Sequence, residues 1–168
     1  MSGNFLTAIH IMTYLAYPGN AGAPVTHIVS FVRYVEGVGT LVTSEEIAGV
    51  INTNPVIVRR ILKELRAAGL VTSTRGKTGG YQLGRSANDM SLLDIFLAVE
   101  GDRVDFFSLA HRDNKPGCSA IANSIQQTLH PIFAQSLAAL KEDLGRYSVA
   151  EVLNTSLARM QEATRSCS

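Results

Sequence analysis

The segment from Thr43 to Gly84, TSEEIAGVINTNPVIVRRILKELRAAGLVTSTRGKTGGYQLG, constrains this 168-residue chain more than any other. Thr43 and Glu46 stand at capping-box spacing ahead of Ile47, Val50 and Ile51, the apolar face of a short helix. Asn52 and Asn54 are turn residues. Pro55 suits a first helical position, where the N–H it lacks would have no partner. Val58, Ile61, Leu62 and Leu65 recur at i, i+3, i+4 and i+7, which predicts a second helix with one buried stripe. Gly69 is placed to end that helix in a left-handed conformation. Leu70–Thr74 is strand-like, Gly76–Gly80 a turn and Tyr81–Leu83 a returning strand. Two short helices followed by a hairpin with a basic, glycine-rich tip form the layout of a winged helix-turn-helix. That arrangement sets one helix in a DNA major groove and the hairpin along the backbone.

Charge supports the same reading. The net charge of +1 is small, but residues 44–85 carry seven basic side chains (Arg59, Arg60, Lys63, Arg66, Arg75, Lys77 and Arg85) against Glu45, Glu46 and Glu64, a local +4. Residues 1–43 cancel, so residues 86–168 hold −3. Phosphate contacts dominate the affinity of nucleic-acid binders, and a concentrated basic segment supplies them. With the buried stripe fixed, the opposite face of the second helix carries Val56, Arg60 and Lys63, flanked by Arg59 and Arg66. Arg59 or Arg60 is suited to pair with a guanine, and Val56 to touch a thymine methyl. In the tip RGKTGGY, the three glycines permit positive φ and close approach of the backbone to DNA. Arg75 and Lys77 add charge there and Thr78 a hydroxyl. No helix signal follows this loop, so a nucleotide-phosphate cradle is not the reading. The expected DNA-contacting set is Thr43, Ser44, Asn54, Pro55, Val56, Arg59, Arg60, Lys63, Arg75, Lys77, Thr78, Gly79 and Tyr81.

Helical patterns dominate elsewhere. Asn4 is placed to cap a first helix reaching about Tyr17, with Phe5, Ala8, Ile9, Met12 and Leu15 on one stripe. Pro18, Gly19, Asn20, Gly22 and Pro24 break it, and Val25–Gly39 fits a short helix better than a strand. Ser91 and Asp94 form a second capping box, opening a helix through Leu92, Ile95, Phe96 and Val99. A loop spans Asp102–Pro116. Helical spacing then runs from Ser119 to about Leu144, with Pro131 predicting a kink or two abutting helices. Ser148 and Glu151 open a last helix. The expected fold is mainly α with a small β-hairpin wing. Residues 1–86 form the DNA-binding domain, and residues 87–168 hold the dimerisation and sensor helices. A composition of 46% hydrophobic and 17% charged residues argues for a packed globular protein. No apolar run spans a bilayer and no basic leader opens the chain, so a cytoplasmic location with no membrane contact is expected. No catalytic triad or paired carboxylates stand out, so no enzymatic activity is expected.

The order SEEIA, NPVIVRRILKEL, AGLVTSTRGKTGGYQL and SLLDIFLAVEG resembles the Rrf2 (BadM-type) winged-helix transcriptional regulators. The resemblance covers the first helix and continues from Thr43 through the helix at Ser91, extending more loosely to the C-terminus. It implies a homodimeric repressor on a double-stranded DNA operator, with the wing tip in the minor groove and a long helix as dimer interface. On that helix the expected interface residues are Ile121, Ile125, Leu129, Phe133, Leu137 and Leu140. Iron–sulfur members of the family ligate their cluster through three closely spaced cysteines before this helix, whereas here only Cys118 stands in that region. The chain is therefore more similar to the cluster-free, YwnA-like branch, and no cofactor or metal is expected. The stretch Pro18–Leu41 is longer than the family's usual link.

Cys118 stands just ahead of a helix whose dipole would lower a thiol pKa, with Lys115 nearby in sequence, which makes it the candidate redox sensor. A capping or buried cysteine without chemistry is the plainer alternative. His111, Asp113 and Cys118 match no common metal-site spacing, and His10 and His130 read as surface or core residues. Two rivals stand beside the DNA reading: a protein–protein adaptor built on a winged helix, and a regulator binding an effector of unknown identity between the helix at Ser91 and the dimer helix.

Overall fold

The structure, a computed structural model, describes residues 3–17, 41–76, 78–101 and 120–166. Several expectations fall outside these residues: the breaker cluster Pro18–Pro24, the helix at Val25–Gly39, Lys77, the loop at Asp102–Pro116 with His111, Asp113 and Lys115, and Cys118 with Ser119. The described residues form α1 (Gly3–Ala16), α2 (Ser44–Val50), α3 (Pro55–Ala67), β1 (Val71–Thr74), β2 (Gly80–Leu83), α4 (Leu92–Glu100), α5 (Ala120–Leu144) and α6 (Val149–Ser166). A single 3-10 turn, Ala87–Asp89, precedes α4 and is capped by the Ser86 hydroxyl. Mainly helical architecture with one hairpin is the expected fold class.

Local chemistry sets the boundaries. The Thr43 hydroxyl accepts from the Glu46 N–H at 3.2 Å, while the Glu46 carboxylate accepts from the Thr43 N–H at 2.7 Å, closing the capping box of α2. Asn54 Oδ1 accepts from the Val56 N–H at 2.8 Å and Pro55 occupies the first turn of α3. Gly69, at φ +72°, follows the C-cap of α3 in the left-handed region that a side chain would resist. The reciprocal boxes at Ser91/Asp94 and Ser148/Glu151 open α4 and α6. The two helix starts are joined: Leu92 N–H donates to the Tyr147 carbonyl and Val149 N–H to the Met90 carbonyl, both at 2.9 Å.

One continuous core ties these elements together. Val58, Ile61, Leu62 and Leu65 of α3 are wholly buried, as are Ala8, Ile11 and Met12 of α1, Ile47 of α2, and Ile95 and Phe96 of α4. Phe5 meets Phe96 edge-on, with ring centroids 5.3 Å apart and planes at 86°. The core therefore runs across residue 86, with α1 packed on α3, α4 and α6.

In α1 the structure differs from the sequence reading in two places. Asn4 lies inside the first turn of α1 rather than capping it; the helix already includes Gly3, and the Asn4 carboxamide oxygen accepts from Arg60 instead. The α1 stripe is centred on Ile11 rather than Ile9, which is only partly buried. α5 passes through Pro131 as one helix, so of the two expected outcomes, a kink or two abutting helices, the second is not met. Gln127, whose carbonyl loses its i+4 donor there, is exposed, as is Pro131, so water can satisfy the freed group.

Candidate nucleic-acid interface

α3 has two chemically opposed sides. Behind it lie the four buried residues, Val58, Ile61, Leu62 and Leu65; in front, Val56, Arg59, Arg60, Lys63 and Arg66 are all exposed. The exposed arginines are not loose. Arg59 donates through Nε to the Ser44 hydroxyl at 3.2 Å and through its terminal nitrogen to the Glu45 carboxylate, which bolts α3 onto the first turn of α2. The Ser44 hydroxyl in turn donates to Glu45 at 2.8 Å, and Ser44 itself is buried. The Ser44 hydroxyl and the Arg59 guanidinium together hold the Glu45 carboxyl below the usual glutamate range. Arg60 donates to Asn4 Oδ1 at 2.7 Å, and Arg66 to the Ser73 hydroxyl on β1 at 3.1 Å. Lys63 and Arg75 make no hydrogen bond or ion pair among the described residues.

The hairpin pairs Val71 with Leu83, Thr72 with Gln82, Ser73 with Tyr81 and Thr74 with Gly80. A third segment joins it: Val42 bridges Tyr81, its N–H donating at 3.0 Å and its carbonyl accepting at 2.8 Å. The glycines of the tip act differently from the sequence expectation. Only Gly76, at φ +125°, has positive φ. A Cβ at Gly79 would stand 2.3 Å from the Thr74 carbonyl oxygen, and one at Gly80 would stand 2.9 Å from Val42 N and O. Both positions thus need glycine for the hairpin's own closure, before any partner is considered.

The expected contact residues divide accordingly. Val56, Arg59, Arg60, Lys63, Arg75 and Thr78 are exposed, and with Asn54 and Pro55 they lie on α3, its cap and the hairpin tip. Thr43 and Ser44 are engaged in capping and in the Arg59 bridge. Tyr81 is half-buried, packs against the core and carries the Val42 bridge. Asn4, Glu45 and Ser73, the acceptors that orient the arginines, escaped sequence reasoning, since each sits 7 to 56 residues from its partner and carries no local signal.

On α5 the expected interface separates into two rows. Leu129, Phe133, Leu137 and Leu140 are half-buried, and Leu137 and Leu140 pack on the chain's own core. Ile121 and Ile125 point outward, 72% and 53% exposed, joined by Ile132, which the sequence reading did not select, at 52%. A cleft of about 440 Å³ lies at the joined starts of α4 and α6, lined by Asn88, Asp89, Asp94, Arg146 and Glu151. Its Asp94 and Glu151 carboxylates are already engaged as helix caps, and the Ser148 backbone and hydroxyl hold Glu151 below the usual carboxylate range. Among the described residues no three His, Cys, Asp or Glu side chains are grouped to hold a metal, and no helix is long and apolar enough to cross a membrane.

A two-sided helix after a short capped helix, followed by a hairpin braced by a third segment, defines a winged helix-turn-helix DNA-binding transcriptional regulator. The chain belongs to the Rrf2 family: the family model, described as an iron-dependent transcriptional regulator, matches residues 1–155. YwnA of Bacillus subtilis (strain 168), described as a candidate HTH-type transcriptional regulator, is 33% identical over 128 residues, covering 76% of this chain and 90% of YwnA. A crystal structure of a candidate transcriptional regulator from Lactobacillus plantarum superposes with a TM-score of 0.67 at 27% identity, covering 97% of this chain and 99% of that one. CymR, the global cysteine regulator of B. subtilis, shares the fold at TM-score 0.59 and 20% identity, over 92% of this chain and 96% of its own. These relatives are regulators rather than enzymes. The iron in the family description meets a poor donor set here. The whole sequence has two cysteines, Cys118 and Cys167, fewer than the three or four thiolates a cluster of this kind uses.

Proposed function

We propose that this regulator is a homodimeric repressor. Each subunit sets α3 in a major groove of a palindromic operator and lays the β1–β2 wing along the flanking backbone, with Lys77 and Arg75 on phosphates. The observation that carries the reading is the two-sidedness of α3. Its inner row is wholly buried, and its outer face keeps four cations exposed beside a basic hairpin tip. A merely solvated helix would not need three of those cations, Arg59, Arg60 and Arg66, to be oriented by Ser44, Glu45, Asn4 and Ser73. The exposed row Ile121, Ile125 and Ile132 supports the dimer, because such a run on a long helix is best buried against its own copy. The division of labour is then residues 1–86 for DNA and 87–168 for assembly and sensing, built on one shared core. The repressor assignment follows the family resemblance. The redox response through Cys118 rests on its place in the sequence, just before Ser119, where the helical spacing of the long helix begins.

Genome-wide binding of the full-length protein, with and without a thiol oxidant, tests these claims together. A palindromic motif with half-sites one or two helical turns apart is the expected result. Absence of any enriched motif would favour a protein–protein adaptor, and identical occupancy under oxidant would remove the role of Cys118.

A further inference from the structure

The first turn of α3 offers a groove almost nothing but hydrocarbon. Val56 is 66% exposed and Ile57 38% exposed, directly behind Pro55, and the Asn54 side-chain oxygen is taken up by the Val56 N–H. Nothing in the fold asks for this. Two exposed β-branched residues in a first helical turn lose side-chain freedom that alanine would keep, and their methyl groups remain in water. The guanidiniums that would otherwise read bases are held back on protein acceptors, Arg59 on Ser44 and Glu45 and Arg60 on Asn4. Lys63 stands two turns further along the helix.

Recognition helices lead with their N-terminal residues at the base edges. Among base edges in the major groove, only the thymine C5-methyl is complementary to an aliphatic side chain. The surrounding cations fix the occupant as a polyanion, so an apolar patch in their midst has a defined partner chemistry. We infer that Val56 and Ile57 select the operator half-site through thymine methyl groups, while Arg59 and Arg60 serve as oriented cations for the backbone. The inference rests on the proposed DNA reading and names the chemical feature that the same face recognises.

The test uses the full-length protein and a duplex selected by it from a random pool. Each thymine is replaced in turn by deoxyuridine, which removes the methyl and leaves every hydrogen-bonding group in place. The wild type should bind roughly three- to tenfold more weakly at one or two positions per half-site, the scale of a lost methyl contact. Val56→Ala and Ile57→Ala, at exposed positions, should melt like the wild type and lose that sensitivity at the same positions. Restoring the methyl as 5-methylcytosine, in a C·G pair at the critical position, should recover part of the loss relative to plain cytosine. Affinity indifferent to every deoxyuridine, or sensitivity unchanged in both variants, would overturn the inference while leaving DNA binding intact. Selection of no sequence at all would instead remove the DNA reading, and the inference with it.

Discussion

α3 and α5 are both amphipathic, yet they are finished in different ways. α3 closes its apolar row entirely within the subunit, and its outer face is cationic, with three of its arginines held by neighbouring acceptors. Among its described residues α5 buries only Leu144, which is 8% exposed, and leaves three isoleucines facing out. The contrast shows what each helix is prepared to meet: a polyanion for α3 and an apolar surface for α5. It also separates two kinds of apolar residue that a sequence pattern treats alike, those consumed by the fold and those left for a partner.

The sharpest way to break the comparison is to place a charge on α5. Ile125→Glu should split the proposed dimer and weaken binding to a palindromic operator by at least about 100-fold, because the two half-sites then bind independently. Analytical ultracentrifugation checks the mass and gel shift the affinity; a wild-type protein that sediments as a monomer would end the argument about α5. Next in size is a matched pair of deletions. Ile61→Ala, in the buried row of α3, should cost about 2–5 kcal/mol of folding stability, whereas Ile121→Ala should cost the isolated subunit under about 0.5 kcal/mol. Urea denaturation at low protein concentration distinguishes them.

On the cationic face the effects shrink. Arg60→Ala should weaken operator binding by about 1–3 kcal/mol if the guanidinium leaves Asn4 for a base, and by a smaller, sequence-independent amount if it meets phosphate. Lys77→Ala should weaken all sequences alike and reduce the salt slope by about 1. The smallest effect concerns pH. Glu45 titrates below its ordinary value of 4.5 in the folded chain, chiefly through Ser44 and then Arg59. A depressed carboxyl stabilises the fold above its unfolded pKa, and that contribution is lost as pH falls through the folded value. Glu45→Gln should therefore lower the urea midpoint slightly at neutral pH and flatten its decline below about pH 4.5.

What could be read beforehand was whatever depends on neighbours in the chain. Capping boxes at Thr43, Ser91 and Ser148 span four residues each, and the stripe Val58–Leu65 spans eight, so both were legible. The hairpin was legible for the same reason. The 56-residue reach from Arg60 to Asn4 was not, nor was the bridge from Val42 to Tyr81, because folding alone brings those groups together. Pro131 does not divide α5 into two helices, because water can reach the carbonyl it orphans. The apolar row of α5 was seen as one stripe, since periodicity reports which residues are greasy and says nothing about which of them the subunit covers.

The Val42–Tyr81 bridge has a practical side. Val42 is immediately followed by Thr43, the cap of α2, so the strand that braces the wing and the start of the helix-turn-helix are adjacent links of one chain. A fragment trimmed to begin at Thr43 would retain both helices and both hairpin strands. It would nonetheless lose the rail along which the wing is aligned, leaving Tyr81 with two unclaimed backbone groups at a raw edge. Anyone transplanting this reader onto another protein should carry Val42 with it.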